Sequence, residues 1–300
     1  MKVFLTGATG YVGSHVARAY RRAGHDVFGL VRNQAKAASV EKFEIVPVVG
    51  TLQDPASYRE AAQQCALLVH AAVDYQGDTL ALDRQTVDAL IASGERGAQP
   101  KTLLYTSGTW VYGDTGDRRV DETVTPTPAE RVSGRPGIER LVLDSDSVRG
   151  LVARPGCIYG GPGGMTGDWF EPAFERKALS IVGDGCNRWA MVHIDDMADG
   201  YLRMGESGLS GEIFNLVDPS RSTVEEMASA AARAAGFSGE IGRIPVAEAA
   251  KTLGSFAACL ALDQNVDAGK AERILGWRPK HLGFVAGAER YFLSWRTGRV

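Results

Sequence analysis

Three glycines at intervals of three, Gly7, Gly10 and Gly13, stand between the apolar run Val3-Phe4-Leu5 and the helix-like segment from Tyr11 to Ala23. No other feature limits the fold as much. A buried parallel strand that ends in such a turn and leads into a helix presents main-chain N–H groups at the positive end of the helix dipole, where a phosphate is stabilised. A Cβ would stand in the way. Gly7 is expected to allow the tight turn, Gly10 the close approach of a pyrophosphate, and Gly13 the packing of helix on strand.

The chain then keeps alternating. Asp26 to Val31, Phe43 to Val49, Leu67 to Ala72, Thr102 to Thr106 and Val148 to Arg154 read as strands, and residues 56 to 64 and 78 to 97 as helices. This pattern predicts an α/β fold with a doubly wound parallel sheet of the Rossmann type, its ligand lying across the carboxyl ends of the strands. A dinucleotide-binding domain is expected over residues 1–165, with about 188–205 returning to it, and a smaller substrate-binding region over 166–300. Helices are read there at 195 to 205, 223 to 235 and 284 to 296, and Ser107 to Pro128 reads as a long polar loop. Pro136 lacks an N–H and is tolerated in a first turn, so the helix carrying Glu139 should begin near Arg135 or Pro136.

The cofactor is chosen at the end of the second strand, where Val31 is followed by Arg32, with Lys36 one turn on. An acid there would take the ribose hydroxyls of NAD. A guanidinium pairs instead with a 2′-phosphate, so NADP(H) is favoured over NAD(H). The small residues Ala71 and Ala72 allow a flat ring system near the backbone.

A net charge of -3 and 44% hydrophobic residues describe a soluble globular chain without the basic excess that nucleic acid would require, and no run of about 18 apolar residues could span a membrane. A cytoplasmic protein acting on a small molecule is expected, with no nucleic-acid or membrane partner. The four cysteines, Cys65, Cys157, Cys186 and Cys259, lack paired metal-ligand spacing. No metal is expected. Cys65 and Cys259 read as core fillers, while Cys157 and Cys186, in glycine-rich loops, are the places for a reactive thiol. His70 and His193 read as strand-end packing groups, and Asp195 and Asp196 as acids opening a helix.

Several motifs in order carry a resemblance over nearly the whole chain. They are Thr6-Gly7-Ala8-Thr9-Gly10-Tyr11-Val12-Gly13, Val111-Tyr112-Gly113, Arg154-Pro155-Gly156 with Tyr159-Gly160, Gly183-Asp184-Gly185, Val192-His193-Ile194-Asp195-Asp196-Met197-Ala198 and Leu275-Gly276-Trp277-Arg278-Pro279. The sequence resembles an extended or atypical short-chain dehydrogenase/reductase of the epimerase/dehydratase kind. The resemblance implies that the cofactor meets Gly7, Thr9, Gly10, Tyr11, Val12, Arg32, Lys36, Leu52, Ala71, Ala72, Thr106, Ser107, Pro155 and Gly156. A homodimer through helices 78 to 97 and 136 to 147 is implied at the same level.

In that family a serine or threonine, a tyrosine and a lysine do the chemistry, and this chain departs at all three places. The hydroxyl position falls on Gly108, between Ser107 and Thr109, and the tyrosine and lysine positions fall on Arg131 and Arg135. A guanidinium stays protonated and cannot shuttle a proton, but it can stabilise an oxyanion or hold an anionic substrate group. Tyr112, Tyr75 and Thr109 are the hydroxyls considered for the proton. The arginine that nucleotide-sugar enzymes of the family carry falls on Trp189, with Arg188 one residue off, which weakens a nucleotide-sugar substrate. The leading expectation is an NADP(H)-dependent oxidoreductase acting on a carbonyl or alcohol of a small molecule. The alternatives are a non-catalytic NADP(H)-binding redox sensor and a sugar epimerase or dehydratase.

Overall fold

The computed structural model describes residues 1–94 and 100–298. In chain order the strands are β1 (Lys2–Thr6), β2 (Asp26–Val31), β3 (Val46–Val49), β4 (Leu67–His70), β5 (Lys101–Thr106), β6 (Val148–Pro155), β7 (Cys157–Tyr159), β8 (Leu179–Val182), β9 (Met191–His193), β10 (Glu212–Leu216) and β11 (Ile241–Ile244). The helices are α1 (Tyr11–Arg22), α2 (Ala38–Glu41), α3 (Ala56–Gln63), α4 (Thr79–Ala92), α5 (Arg135–Leu143), α6 (Ile194–Glu206), α7 (Val224–Ala234), α8 (Val246–Leu253), α9 (Phe256–Leu260), α10 (Gly269–Leu275) and α11 (Ala288–Thr297). No helix among the described residues is long and apolar enough to cross a membrane.

The chain forms two units, the first made of Met1–Ser107, Gly134–Arg154 and Ala198–Phe214. Its sheet has the order β10-β6-β5-β4-β1-β2-β3, and the neighbours from β3 through to β6 pair in parallel. β1 is central, with Phe4 between Phe28 of β2 and Leu68 of β4. Helices cover both faces, which is why Val3, Phe4 and Leu5 are consecutive apolar residues and all fully buried. α5 begins at Arg135 with Pro136 in its first turn, and its Glu139 receives both Nε and Nη2 of Arg154 at 2.9 and 2.5 Å. That buried, bidentate pair ties α5 to β6.

Two expectations change here. The expected division at residue 165 gives way to one in which Gly108–Ser133 and Pro155–Met197 belong to the second unit, and the returning segment is Ala198–Phe214 instead of 188–205. That segment ends in β10, whose short run Glu-Ile-Phe-Asn-Leu carries too little periodicity to announce a strand. The expected strand over Phe43 to Val49 starts only at Val46, because Glu44 is in the left-handed region at φ 59°. α4 is capped by Asp78, whose carboxylate accepts from the Ala81 amide at 3.0 Å; residues 95–97 of the expected helix lie outside the described residues.

The second unit comprises Gly108–Ser133, Pro155–Met197 and Asn215–Val300. It holds two small parallel pairs, β7 with β9 and β8 with β11. Its core is aromatic: Trp169 stacks on Trp189 at 5.4 Å, and Phe170, Phe284, Tyr291, Phe292 and Trp295 pack in the same cluster. A short 3-10 turn, Thr109–Tyr112, occupies part of the expected loop. Gln264 Nε2 donates to both Thr109 O and Gly113 O, at 2.8 and 2.9 Å, and so brackets that turn.

Candidate functional site

The loops after β1, β2, β3 and β4 enclose a cleft of about 280 Å³ at the carboxyl ends of the strands. Nine of the expected cofactor residues line it: Gly7, Thr9, Gly10, Tyr11, Val12, Arg32, Leu52, Ala71 and Ala72. Sheet order explains the position, since β1 and β4 are neighbours whose connections run to opposite sides, leaving a crevice between their ends. Gly7 has φ 77°, and a Cβ there would lie 2.7 Å from Ala71 O. A Cβ on Gly13 would lie 2.1 Å from Gly7 O, so α1 can sit on the turn only as glycine. α1 has Gly10 as its N-cap, with no side-chain cap hydrogen bond and no acid in its first turn. A cradle that excludes side chains, backed by an uncapped helix dipole, fits the diphosphate of a dinucleotide.

Arg32 is exposed and lines the same cleft. The sequence around Arg32 holds no carboxylate, but the fold brings one from the loop after β4. Asp74 lines the same cleft, with Oδ2 3.8 Å from Arg32 Nη2 and 3.2 Å from the Gln53 amide nitrogen that donates to it. The Gln76 main-chain amide, then Gln53 and the Arg32 charge, hold the Asp74 carboxyl below the usual carboxylate range. Lys36 ends a 3-10 turn capped by Asn33 and lies outside the cleft lining. Pro155 and Gly156 belong to the second unit, where a Cβ on Gly156 would meet Ala190 O at 2.4 Å, which accounts for that glycine by packing.

Behind the cradle runs a buried polar chain that joins β1 and β4 to α4. Thr6 Oγ1 accepts from the Ala71 amide at 3.2 Å and lies 2.7 Å from His70 Nδ1. His70 Nε2 is 2.8 Å from Asp83 Oδ1, and Tyr105 donates to Asp83 Oδ2 at 2.6 Å. The two ring nitrogens of His70 bridge Thr6 and Asp83, with Nε2 donating to the carboxylate. His70 thus braces the strand end, in keeping with its expected packing role. Burial pushes the Asp83 carboxyl up, but the hydrogen bond from His70 and the His70 charge, followed by the Tyr105 hydrogen bond and the Arg135 charge, outweigh burial and hold it below the usual range. A depressed folded pKa means that the contribution is complete above about pH 4, the unfolded value, and is lost as pH falls through the folded value. Asp83→Asn is therefore expected to lower stability at pH 7 by about 2 kcal/mol and to flatten the acid limb below pH 4, measured by urea unfolding across pH. An unchanged acid limb would remove Asp83 from the network.

At the end of β5, Thr106 Oγ1 accepts from Tyr201 at 2.9 Å. Arg135 Nη1 donates to Ser107 O at 2.9 Å, and Ser107 Oγ is buried with no hydrogen-bond partner among the described residues. Neither Thr106 nor Ser107 lines the cleft described above. In the second unit, Tyr112 is 1% exposed and its hydroxyl donates to Asn215 Oδ1 at 2.9 Å, so it anchors the turn, contrary to its expected role as proton donor. Thr109 is equally buried, at 2%. Arg131 lies over the Phe256 ring, 5.3 Å from its centroid.

Other second-unit groups resolve by geometry. His193 and His281 stack at 3.6 Å with ring planes 16° apart; although both lie near Asp195, their in-plane lone pairs cannot converge on one ion. Asp195 and Asp196 lie in the first turn of α6, as expected, and Asp196 also accepts from the Lys280 and His281 amides at 3.0 and 2.8 Å. Arg188 is committed to Asp263 at 2.6 Å and Asp117 at 2.7 Å, while Trp189 is buried against Trp169. Cys157 is buried, which pushes its thiol up to about 12 and makes it inert at neutral pH, whereas Cys186 is exposed.

Similarity to known proteins agrees with this architecture. An uncharacterised protein of Schizosaccharomyces pombe is 28% identical over 295 residues, covering 94% of this chain and 96% of that protein. A ketoreductase of Stigmatella aurantiaca, acting on 4-hydroxy-2-methyl-3-oxo-4-farnesyl-3,4-dihydroquinoline-1-oxide, is 26% identical over 267 residues, covering 85% and 80%. The dTDP-glucose 4,6-dehydratase of Bacillus anthracis, solved in complex with NAD, has the same fold, with a TM-score of 0.84 at 18% identity over 100% of this chain and 97% of that one. Residues 3–216 match the family model of the NAD dependent epimerase/dehydratase family. With that match over most of its length, and with the glycine cradle and seven-stranded sheet that go with it, the chain belongs to the NAD dependent epimerase/dehydratase family.

Proposed function

We propose that the protein is an NADP(H)-dependent oxidoreductase acting on a carbonyl or alcohol group of a small molecule. The observation that carries this reading is Arg32 at the end of β2, lining the same cleft as the Gly7–Gly10 cradle. When bound, a nicotinamide dinucleotide supplies or accepts hydride. The chain's own part is to hold the diphosphate on the amides and dipole of α1, and to pair Arg32 with a 2′-phosphate. At the end of β5, the Ser107 hydroxyl and the Arg135 guanidinium are donors able to stabilise negative charge on a substrate oxygen. A ketone substrate is supported by the similarity to the Stigmatella ketoreductase. A nucleotide sugar is disfavoured by the engagement of Arg188 with two carboxylates and by the burial of Trp189.

A second reading, a sensor that holds NADP(H) without turnover, is favoured by the burial of Tyr112 on Asn215 and by arginines at positions 131 and 135. Fluorescence titration with NADPH and NADH, followed by cofactor consumption over a panel of ketones, aldehydes and alcohols, separates the two. Tighter NADPH binding with turnover is the expected result. Tight binding with no consumption over the panel selects the sensor, and tighter NADH binding overturns the cofactor assignment.

A further inference from the structure

Two hydrogen-bond donors of the first unit stand uncompensated at the carboxyl end of β5. Ser107 is 3% exposed, and its Oγ has no hydrogen-bond partner among the described residues. Arg135, partly buried at the start of α5, donates Nη1 to Ser107 O at 2.9 Å and makes no ion pair among the described residues. The acid that its charge reaches, Asp83, has both oxygens taken, by His70 Nε2 at 2.8 Å and by the Tyr105 hydroxyl at 2.6 Å. Arg154 of β6, by contrast, is spent on Glu139. α5 adds to the positive potential, with neither an acid in its first turn nor a side-chain cap. A buried hydroxyl without a partner and a partly desolvated cation without a counter-charge each oppose folding. An acceptor that carries negative charge relieves both.

We propose that Arg135 determines specificity by taking the carboxylate of a 2-oxo acid, while Ser107 Oγ donates to the adjacent carbonyl oxygen. This rests on the oxidoreductase reading and names its substrate class. Such an acid carries both acceptors on neighbouring carbons, a spacing that suits two donors held together by the Arg135–Ser107 hydrogen bond. A guanidinium with one of its five N–H groups on Ser107 O keeps others for the two oxygens of a carboxylate. The oxo acid becomes the hydroxy acid by gaining a hydride from NADPH at its carbonyl carbon and a solvent proton at its oxygen. Sheet register sets the pair beside the cleft. Tyr105 of β5 pairs with His70 of β4, Ser107 and Ala72 each lie two residues beyond that pair, and Ala71 and Ala72 line the cleft.

The test compares benzoylformate, its methyl ester and acetophenone by calorimetry and by NADPH consumption, using the full chain and the variants Arg135→Gln, Arg135→Lys and Ser107→Ala, with thermal melting to verify folding. Benzoylformate is expected to bind about tenfold tighter than the ester. Arg135→Gln should abolish that advantage, and Arg135→Lys, which keeps the charge but loses the fork, should retain part of it. Ser107→Ala should weaken benzoylformate about threefold, yet leave the unliganded protein melting no lower than the parent, because the hydroxyl it removes has no partner. Acid and ester that bind equally or not at all, or an advantage that survives Arg135→Gln, overturn the site. A Ser107→Ala protein that melts lower and binds like the parent removes Ser107 from it. Binding of benzoylformate that depends on Arg135 but never consumes NADPH supports the site while defeating the oxidoreductase reading. Faster consumption of NADPH on acetophenone than on benzoylformate does the reverse.

Discussion

Gly10→Val is expected to lower dinucleotide affinity at least about 100-fold while the chain stays folded. The backbone at Gly10 is extended, φ -82° and ψ 168°, a conformation open to any L-residue, and an added Cβ there would meet only Gly7 O, at 3.3 Å. That contact requires a small adjustment, costing about 1 kcal/mol. The valine side chain would instead project at the N-terminus of α1, where Gly10 lines the cleft. Displacing a diphosphate from two main-chain donors removes charge-assisted hydrogen bonds of about 1.5 kcal/mol or more each, and about 2.7 kcal/mol corresponds to 100-fold. Gly13 behaves differently. Its Cβ would collide with the main chain of Gly7 at 2.1 Å, so Gly13→Val separates α1 from β1 and lowers stability and binding together. NADPH titration beside thermal melting distinguishes the two glycines. A Gly10→Val protein that binds like the parent would mean that the diphosphate lies elsewhere.

The difference between those glycines also shows what kind of information the sequence carried. Strand, turn and helix at the N-terminus are local, and so is the start of α5 at Arg135 before Pro136; each is decided by residues a few positions apart and could be read directly. His70 as a packing group was legible because it follows a buried apolar run. What sequence reading missed depends on pairing between distant segments. Tyr112 follows β5, as a ligand-facing hydroxyl would, yet Asn215, 103 residues away and fully buried, takes its hydroxyl. Asp83 on α4 gave no signal, since only the packing of α4 brings it to His70 and Tyr105. Asp196 does open α6 as an acid in its first turn, but that it also takes the amides of Lys280 and His281, more than 80 positions on, was not readable. Asp74 is the case with functional weight: it lies 42 positions from Arg32 and reaches it only because β4, β1 and β2 are successive neighbours in the sheet.

On the proposed NADP(H) reading, that juxtaposition sets two opposite charges against each other at the 2′-phosphate, and it leads to the second large effect. Arg32→Ala is expected to weaken NADPH binding about tenfold or more and to leave NADH within about twofold. A bidentate guanidinium–phosphate pair is worth about 1.5–3 kcal/mol, and Arg32, with 71% of its side chain exposed, falls in the lower part of that range through solvent screening. Asp74 acts in the other direction. Its carboxyl is held below the usual carboxylate range, so it stays ionised throughout neutral pH and repels a 2′-phosphate that approaches Arg32. Asp74→Asn should therefore tighten NADPH without tightening NADH, and more salt should narrow the difference between NADPH and NADH expected of the parent protein. If Arg32→Ala weakened both dinucleotides equally, Arg32 would be contacting a part the two share, such as the adenine. If Asp74→Asn favoured neither, the carboxylate would not face the phosphate at all. Measuring both variants against both cofactors at two salt concentrations makes the contest visible, because only a charge acting on the 2′-phosphate produces effects of opposite sign that fade together as ions screen them.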